Sequence, residues 1–185
     1  MKSKIIIVGG CCATGKSTFA EKMSAELNIP CFIKDKIKEN LGDGFGPDND
    51  MVFNKGSMAT FSLMLHITEQ FIKNGKVCIL EGNFKSIEIE KIEALLEKYN
   101  CECITYLFKG DFDILFKRYM KRDKAGKRHW VHQTSGETIE DFEKGHLRWK
   151  MGEIGLGQII TVDSTEFENI DFEKLINIGR EFISS

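Results

Sequence analysis

Residues 10–17 read Gly-Cys-Cys-Ala-Thr-Gly-Lys-Ser, which is the spacing G-x-x-x-x-G-K-[ST] of a phosphate-binding loop. The chemistry explains the spelling. Gly10 and Gly15 let the backbone curl, so that successive N–H groups across Cys11, Cys12, Ala13 and Thr14 turn inward as an anion-binding nest. Lys16 can reach the outer phosphates of a nucleotide, and the Ser17 hydroxyl can hold Mg²⁺. Such a loop works only between a strand and a helix, whose N-terminal dipole and free N–H groups face the same phosphates. The flanks supply both. Lys4-Ile5-Ile6-Ile7-Val8 is a β-branched run suited to a buried parallel strand, and Phe19, Ala20, Met23 and Leu27 recur at helical spacing.

The length of 185 residues fits one domain with a proper core. Hydrophobic content of 42% and charged content of 29% are those of an ordinary globular protein. A formal net charge of −2 gives no general attraction to nucleic acid or anionic membranes. No apolar run reaches the roughly eighteen residues of a membrane span, and the first residues lack a signal-peptide layout, so a cytoplasmic location is expected. In that setting the six cysteines (11, 12, 31, 78, 101 and 103) are expected to be free thiols, and none has the spacing of a zinc site. Cys11 and Cys12 lie in the phosphate loop itself, either as small residues fitted there or as an oxidation-sensitive pair.

Beyond the first helix, Pro30 to Lys34 reads as a second strand, with Asp35 at its C-terminal end. In open α/β sheets that edge faces the ligand crevice, where a carboxylate can accept a proton from an attacking hydroxyl. Asp35 is also placed to cap the helix that follows it. Gly42 to Asp50 is expected to be a loop, either folding over substrate or merely connecting. Asn54 to Lys73 is a long helix; Met58, Phe61, Met64, Leu65, Ile67, Phe71 and Ile72 make it broadly apolar, with Ser57, Thr60, Ser62 and His66 available to line a pocket. Val77 to Leu80 is the third strand, and Glu81-Gly82-Asn83-Phe84 follows on the ligand edge. Glu81 can position Mg²⁺ or its water, and Asn83 can hydrogen-bond a substrate. Ser86 to Tyr99 is a helix opened by a capping serine, and Cys101 to Phe108 is the fourth strand.

A second cluster lies in Asp111 to Lys124, where Phe112, Leu115, Phe116 and Tyr119 form a buried stripe. At about 100° per residue, Lys117 and Lys121 fall on the solvated face, while Arg118 and Arg122 border the stripe one turn apart. Arginines so placed can stack on a base or pair with phosphate. The basic stretch from Gly126 to His132, with Lys127 and Arg128, suits a lid. Glu137 to Trp149 is helical with Thr138 as cap, Gln158 to Val162 is the fifth strand, and Asp171 caps a last helix. Strands alternating with helices mean a parallel sheet covered on both faces.

The chain resembles the small P-loop kinases of the AAA_33, zeta-toxin and chloramphenicol-phosphotransferase-like group over nearly its whole length. The resemblance rests on residues 10–17, on Asp35 with Lys36-Ile37-Lys38, on Leu80 to Phe84, on Leu115 to Arg118 with Arg122, on Lys127 to His129, and on Thr161 to Thr165. It implies a three-layer αβα P-loop NTPase fold: a five-stranded parallel sheet in the order 2-3-1-4-5, a single domain over 1–185 and a small lid at about 122–137. It also implies ATP and Mg²⁺, with ATP held by residues 10–17, Thr18 and Arg118. Asp35 matches the general base, and Arg122 or Arg128 the lid arginine at the transferring group. Ile33 stands where shikimate kinases carry a second aspartate, which argues against shikimate. The expected activity is transfer of the γ-phosphoryl group to a hydroxyl of a small molecule, with Lys16 and the lid arginine stabilising the transition state. The rivals are a polynucleotide or RNA-end kinase, which needs a basic groove beyond the ATP site, and a nucleotide-binding sensor with little transfer activity.

Overall fold

A computed structural model describes residues 2–47, 50–126, 128–132, 138–148 and 154–185, the side chains of 50–54 and 148 apart. Five parallel strands form one sheet: β1 (Lys4–Gly10), β2 (Cys31–Ile33), β3 (Cys78–Gly82), β4 (Glu102–Lys109) and β5 (Gln158–Asp163). Their order is β2-β3-β1-β4-β5, as the resemblance implied. Among the described residues, seven α-helices connect and cover them: α1 (Lys16–Leu27), α2 (Lys34–Phe45), α3 (Asp50–Lys73), α4 (Ser86–Lys98), α5 (Phe112–Lys124), α6 (Ile139–Arg148) and α7 (Phe172–Ser184).

The central strand explains the layering. Every residue of β1 is buried, and its side chains alternate between faces with the period of two that a strand imposes. Ile5 and Ile7 pack with Phe61, Met64 and Ile72 of α3 and Ile92 of α4. Ile6 and Val8 pack with Phe19 and Met23 of α1 and Ile176 of α7. Each such buried side chain stabilises the fold by about 1.5–3 kcal/mol. A third cluster of Cys11, Leu115, Tyr119 and Phe142 joins the loop after β1 to α5 and α6, so that the phosphate loop is part of a core and not a free turn.

Several boundaries depart from expectation. β2 ends at Ile33, and α2 already begins at Lys34, whose buried ammonium meets both Glu88 carboxylate oxygens at 2.5 and 2.7 Å. Asp35 therefore sits in the first turn of α2 and is not its cap; the capping position is Ile33. Gly42 to Phe45, expected as loop, form the last turn of α2, closed by Gly46 in the left-handed region (φ 82°) with its N–H on the Gly42 carbonyl. Tertiary packing outweighs two glycines there, because Val131 and Trp130 lie against Gly42. Residues 48 and 49 of that stretch lie outside the described residues, and α3 begins four residues before Asn54, at Asp50. Lys85, not Ser86, is the N-cap of α4, and Glu88 accepts its N–H at 3.0 Å. In α3 the buried residues include Phe61, Met64 and Ile72, whereas Met58 is 72% exposed and points away from the core. Thr138 and Asp171 cap α6 and α7 as expected, accepting the N–H groups of Asp141 and Lys174.

Candidate active site

The C-terminal edge of the sheet gathers the chemistry, because every βα turn of a parallel sheet opens there. At the end of β1, Gly10 has φ +132°, and a Cβ on it would lie 2.0 Å from the Phe108 carbonyl oxygen of β4. Ala13 (φ 61°) and Gly15 (φ 82°) are also left-handed, which curls the backbone of 10–17 into a nest of inward N–H groups. No side chain caps α1. The Thr14 hydroxyl donates to the Cys11 carbonyl at 2.9 Å and fixes the curl from within.

Lys16 is buried. Its ammonium donates to the Cys11 carbonyl at 3.3 Å and lies 3.6 Å from the Glu81 carboxylate at the end of β3. Burial works against its charge, but the fields of Glu81, Cys12 and Asp35 outweigh it, so the Lys16 pKa stands above the ordinary lysine value; Arg122 pulls the other way. Glu81 thus meets the ammonium directly, and Cys12, Asp35 and Arg122, from three other segments, lie near enough to act on its charge. The Ser17 hydroxyl lies close enough to Glu81 to favour its charged form. Its pKa is raised by burial first and by Asp35, with Lys16 and Ser17 opposing. A carboxylate behind the hydroxyl that can hold Mg²⁺ is an all-oxygen donor set, which suits that hard cation.

Asp35 is exposed on the first turn of α2 and acts electrostatically on Lys16, Cys12 and Glu81, so it stands on the same side of the sheet as the phosphate loop. Asn83 donates from Nδ2 to the Cys12 thiol at 2.8 Å. Its Oδ1 is buried and has no hydrogen-bond partner among the described residues. Thr18 is exposed one residue beyond Ser17.

The arginines divide. Arg118 donates to the Ser164 and Thr165 carbonyls at 2.6 and 2.8 Å, tying α5 to the turn after β5. Next to it, the Phe167 ring occupies the space a Cβ on Gly15 would need. Arg122 is exposed, with its guanidinium 5.9 Å from the Tyr119 ring centre. Arg128 donates instead to the Tyr119 hydroxyl (2.5 Å) and pairs with Asp123 at 3.0 Å. Of the stretch expected as lid, Arg122 to Lys124 complete α5, and 128–132 dock on α2: His129 meets Asp43 at 3.0 Å, His132 meets Glu39 at 2.9 Å, and Lys38 donates to the Val131 carbonyl. Lys127 and 133–137 lie outside the described residues. On α3, Ser62 and His66 are exposed, and the Thr60 hydroxyl is bonded back to the Gly56 carbonyl, so they do not gather with these groups.

One residue at the site escaped the sequence reading. His146 of α6 is 5% exposed, and its Nε2 accepts the Cys12 backbone N–H at 3.1 Å. A histidine 134 positions from the loop, in a helix with no motif of its own, carries no sequence signal for this contact.

No family model matches the chain, and no curated protein matches it. Among solved structures, a "putative kinase" from Chloroflexus aurantiacus J-10-fl is 26% identical, covers 98% of each chain and superposes with a TM-score of 0.86. An APS kinase from Mycobacterium tuberculosis in complex with AMPPNP and APS is 11% identical (100% of this chain, 99% of that chain, TM-score 0.60). A shikimate kinase from Bacteroides thetaiotaomicron is 18% identical (99% of each chain, TM-score 0.52). The chain has the three-layer αβα fold of the P-loop kinases.

Proposed function

We propose that this protein is an ATP-dependent kinase that transfers the γ-phosphoryl group to a hydroxyl of a small-molecule acceptor. The convergence of Glu81, Cys12, Asp35 and Arg122 on Lys16 carries the proposal. The likeness to the Chloroflexus protein supports it. The motifs at 10–17, 35–38 and 80–84 favour the AAA_33 and zeta-toxin-like group within the fold. The chain works as one domain, with about 122–137 as its lid.

In this reading the nest of 10–17, together with Thr18, holds the phosphates, and Arg118 lies beside the base. Mg²⁺ would be held by the Ser17 hydroxyl with Glu81 behind it, and would neutralise charge on the phosphate oxygens. The acceptor hydroxyl gives its proton to an Asp35 oxygen as its own oxygen bonds to the γ-phosphorus. The bond from that phosphorus to the β-phosphate oxygen breaks, and ADP leaves. Lys16 and Arg122 meet the charge that spreads over the transferring group. The buried, unpartnered Oδ1 of Asn83 is placed to accept a hydrogen bond from the acceptor. Arg128 already has Asp123 and Tyr119 as partners, so Arg122 is the better candidate for the transition-state arginine.

The test is acceptor-dependent ADP release across a panel of hydroxylated metabolites, amino sugars, nucleosides and antibiotics, with Asp35→Asn as the blank. Arg122→Ala should lower kcat on the order of 10³-fold while ATP affinity changes little. Wild-type turnover in either variant would remove the corresponding role.

A further inference from the structure

His146 is bound to the phosphate loop in a way the kinase chemistry above does not require. Its Nδ1 lies 2.6 Å from the Phe142 carbonyl oxygen, which can only accept, so Nδ1 carries the proton. In the neutral ring Nε2 is then a lone pair, and that lone pair receives the Cys12 backbone N–H. The ring is fixed by packing on Phe142 (centroids 4.3 Å apart) and on the edge of Phe112 (5.7 Å). An imidazole nitrogen therefore accepts one of the nest's N–H groups in the manner of a phosphate oxygen. Cys12 lies between Lys16, which reaches the outer phosphates, and Asn83 on the acceptor side, so its N–H belongs to the terminal-phosphate end of the nest.

We propose that His146 is a γ-phosphate ligand: the terminal phosphoryl group of a nucleoside triphosphate takes the Cys12 N–H from Nε2, and the ring becomes a hydrogen-bond donor to that same group. This rests on the kinase reading above. The electrostatics require a change of protonation. A phosphate oxygen on the Cys12 N–H would face the Nε2 lone pair, and like poles repel. With Nδ1 committed to the Phe142 carbonyl, Nε2 can donate only as an imidazolium, so triphosphate binding is coupled to uptake of one proton by His146. The surroundings favour this. Burial opposes the charge, but the Cys12 thiol and the Phe142 carbonyl outweigh it and hold the His146 pKa above the ordinary histidine value. The charged and titratable groups that act on the ring are the Cys12 thiol and, in opposition, the Lys16 ammonium; α5 presents the Phe112 ring. A diphosphate stops short of this corner, so the ligand discriminates triphosphate from diphosphate.

The experiment measures Mg-ATP and Mg-ADP affinity by calorimetry for the wild type, Lys16→Ala, His146→Ala and His146→Gln. ATP affinity should fall about tenfold in His146→Ala while ADP affinity holds. His146→Gln, whose amide donates without a proton, should restore part of the loss. In the wild type, at alkaline pH where the free ring is neutral, binding heats in buffers of different ionisation enthalpy should report proton uptake with ATP beyond that with ADP, and this needs no variant to fold. An unchanged ATP-to-ADP ratio in His146→Ala and His146→Gln, tighter ATP binding in either, or equal proton uptake for the two nucleotides would overturn the proposal and leave the kinase reading standing. If the wild type bound neither nucleotide, both would fall together, whereas loss of both nucleotides in Lys16→Ala alone shows that they enter at this loop.

Discussion

At the scale of single residues, the two adjacent cysteines of the phosphate loop have opposite characters. Burial, with Cys12 beside it, pushes the Cys11 thiol up. Burial also opposes the Cys12 thiolate, but His146 and Lys16 outweigh it and hold its pKa below the ordinary thiol value. Cys31 and Cys78 are pushed up to about 12, chiefly by burial. A lower pKa means more thiolate at a given pH, so Cys12 should be the first to react with iodoacetamide at neutral pH. Peptide mass spectrometry should find Cys12 labelled before the other five, with Mg-ATP slowing the reaction; equal labelling of Cys12 and Cys31 would contradict this. The sequence placed both thiols in the loop and could not rank them. Lys16 acts on both sulfurs, so the ranking depends on His146 acting on Cys12 and not on its neighbour, which is a matter of tertiary geometry. The position of Asp35, in contrast, was legible: residues that follow a strand in an α/β pattern fall on the ligand edge, even though the strand ends two residues earlier, at Ile33.

At the scale of elements, α2 is held by its first two residues facing opposite ways. Lys34 turns inward to Glu88 of α4, and Asp35 turns toward the phosphate loop. The Lys34–Glu88 pair is buried on both sides, and removing one member strands the other charge out of water. Lys34→Met should therefore cost about 3–5 kcal/mol in chemical denaturation. Lys34→Met combined with Glu88→Leu should recover most of that, leaving a residual of about 1 kcal/mol for the lost Glu88 cap on Lys85. A double variant no more stable than the single would show that the pair is not what fixes this turn. The sequence assigned Lys34 to the strand and Gly42 to Phe45 to a loop for one reason: residues about 50 and 90 positions away, Glu88 and Val131, decide both boundaries, and local propensity does not register them.

At the scale of the whole molecule, the alternation of strands and helices made a parallel sheet legible, whereas the strand order was what the resemblance to the P-loop kinases implied. That order brings residues 10–17, 35, 81–83, 118–122 and 164–165 to one edge from far apart in the chain. The contribution of α6 was not legible, since His146, its polar anchor to the site among the described residues, looks like any histidine in an amphipathic helix. A ligand held by so many segments should stabilise the fold globally. With Mg-ATP at a hundred times its Kd the gain is about 2.7 kcal/mol, or roughly 5–10 °C in Tm for a chain of this size. Lys16→Ala should abolish the shift, and a wild-type Tm indifferent to Mg-ATP would count against nucleotide binding altogether. Arg118 sets a further limit on the donor. Two of its five N–H groups are held by the Ser164 and Thr165 carbonyls, which fixes the guanidinium plane; in the role proposed for it beside the base, that flat face is what it would offer a purine. A stacking surface is blind to whether the ring carries an amino or a keto group: Arg118→Ala should weaken ATP and GTP by the same factor, and any preference between them must be set by other parts of the pocket.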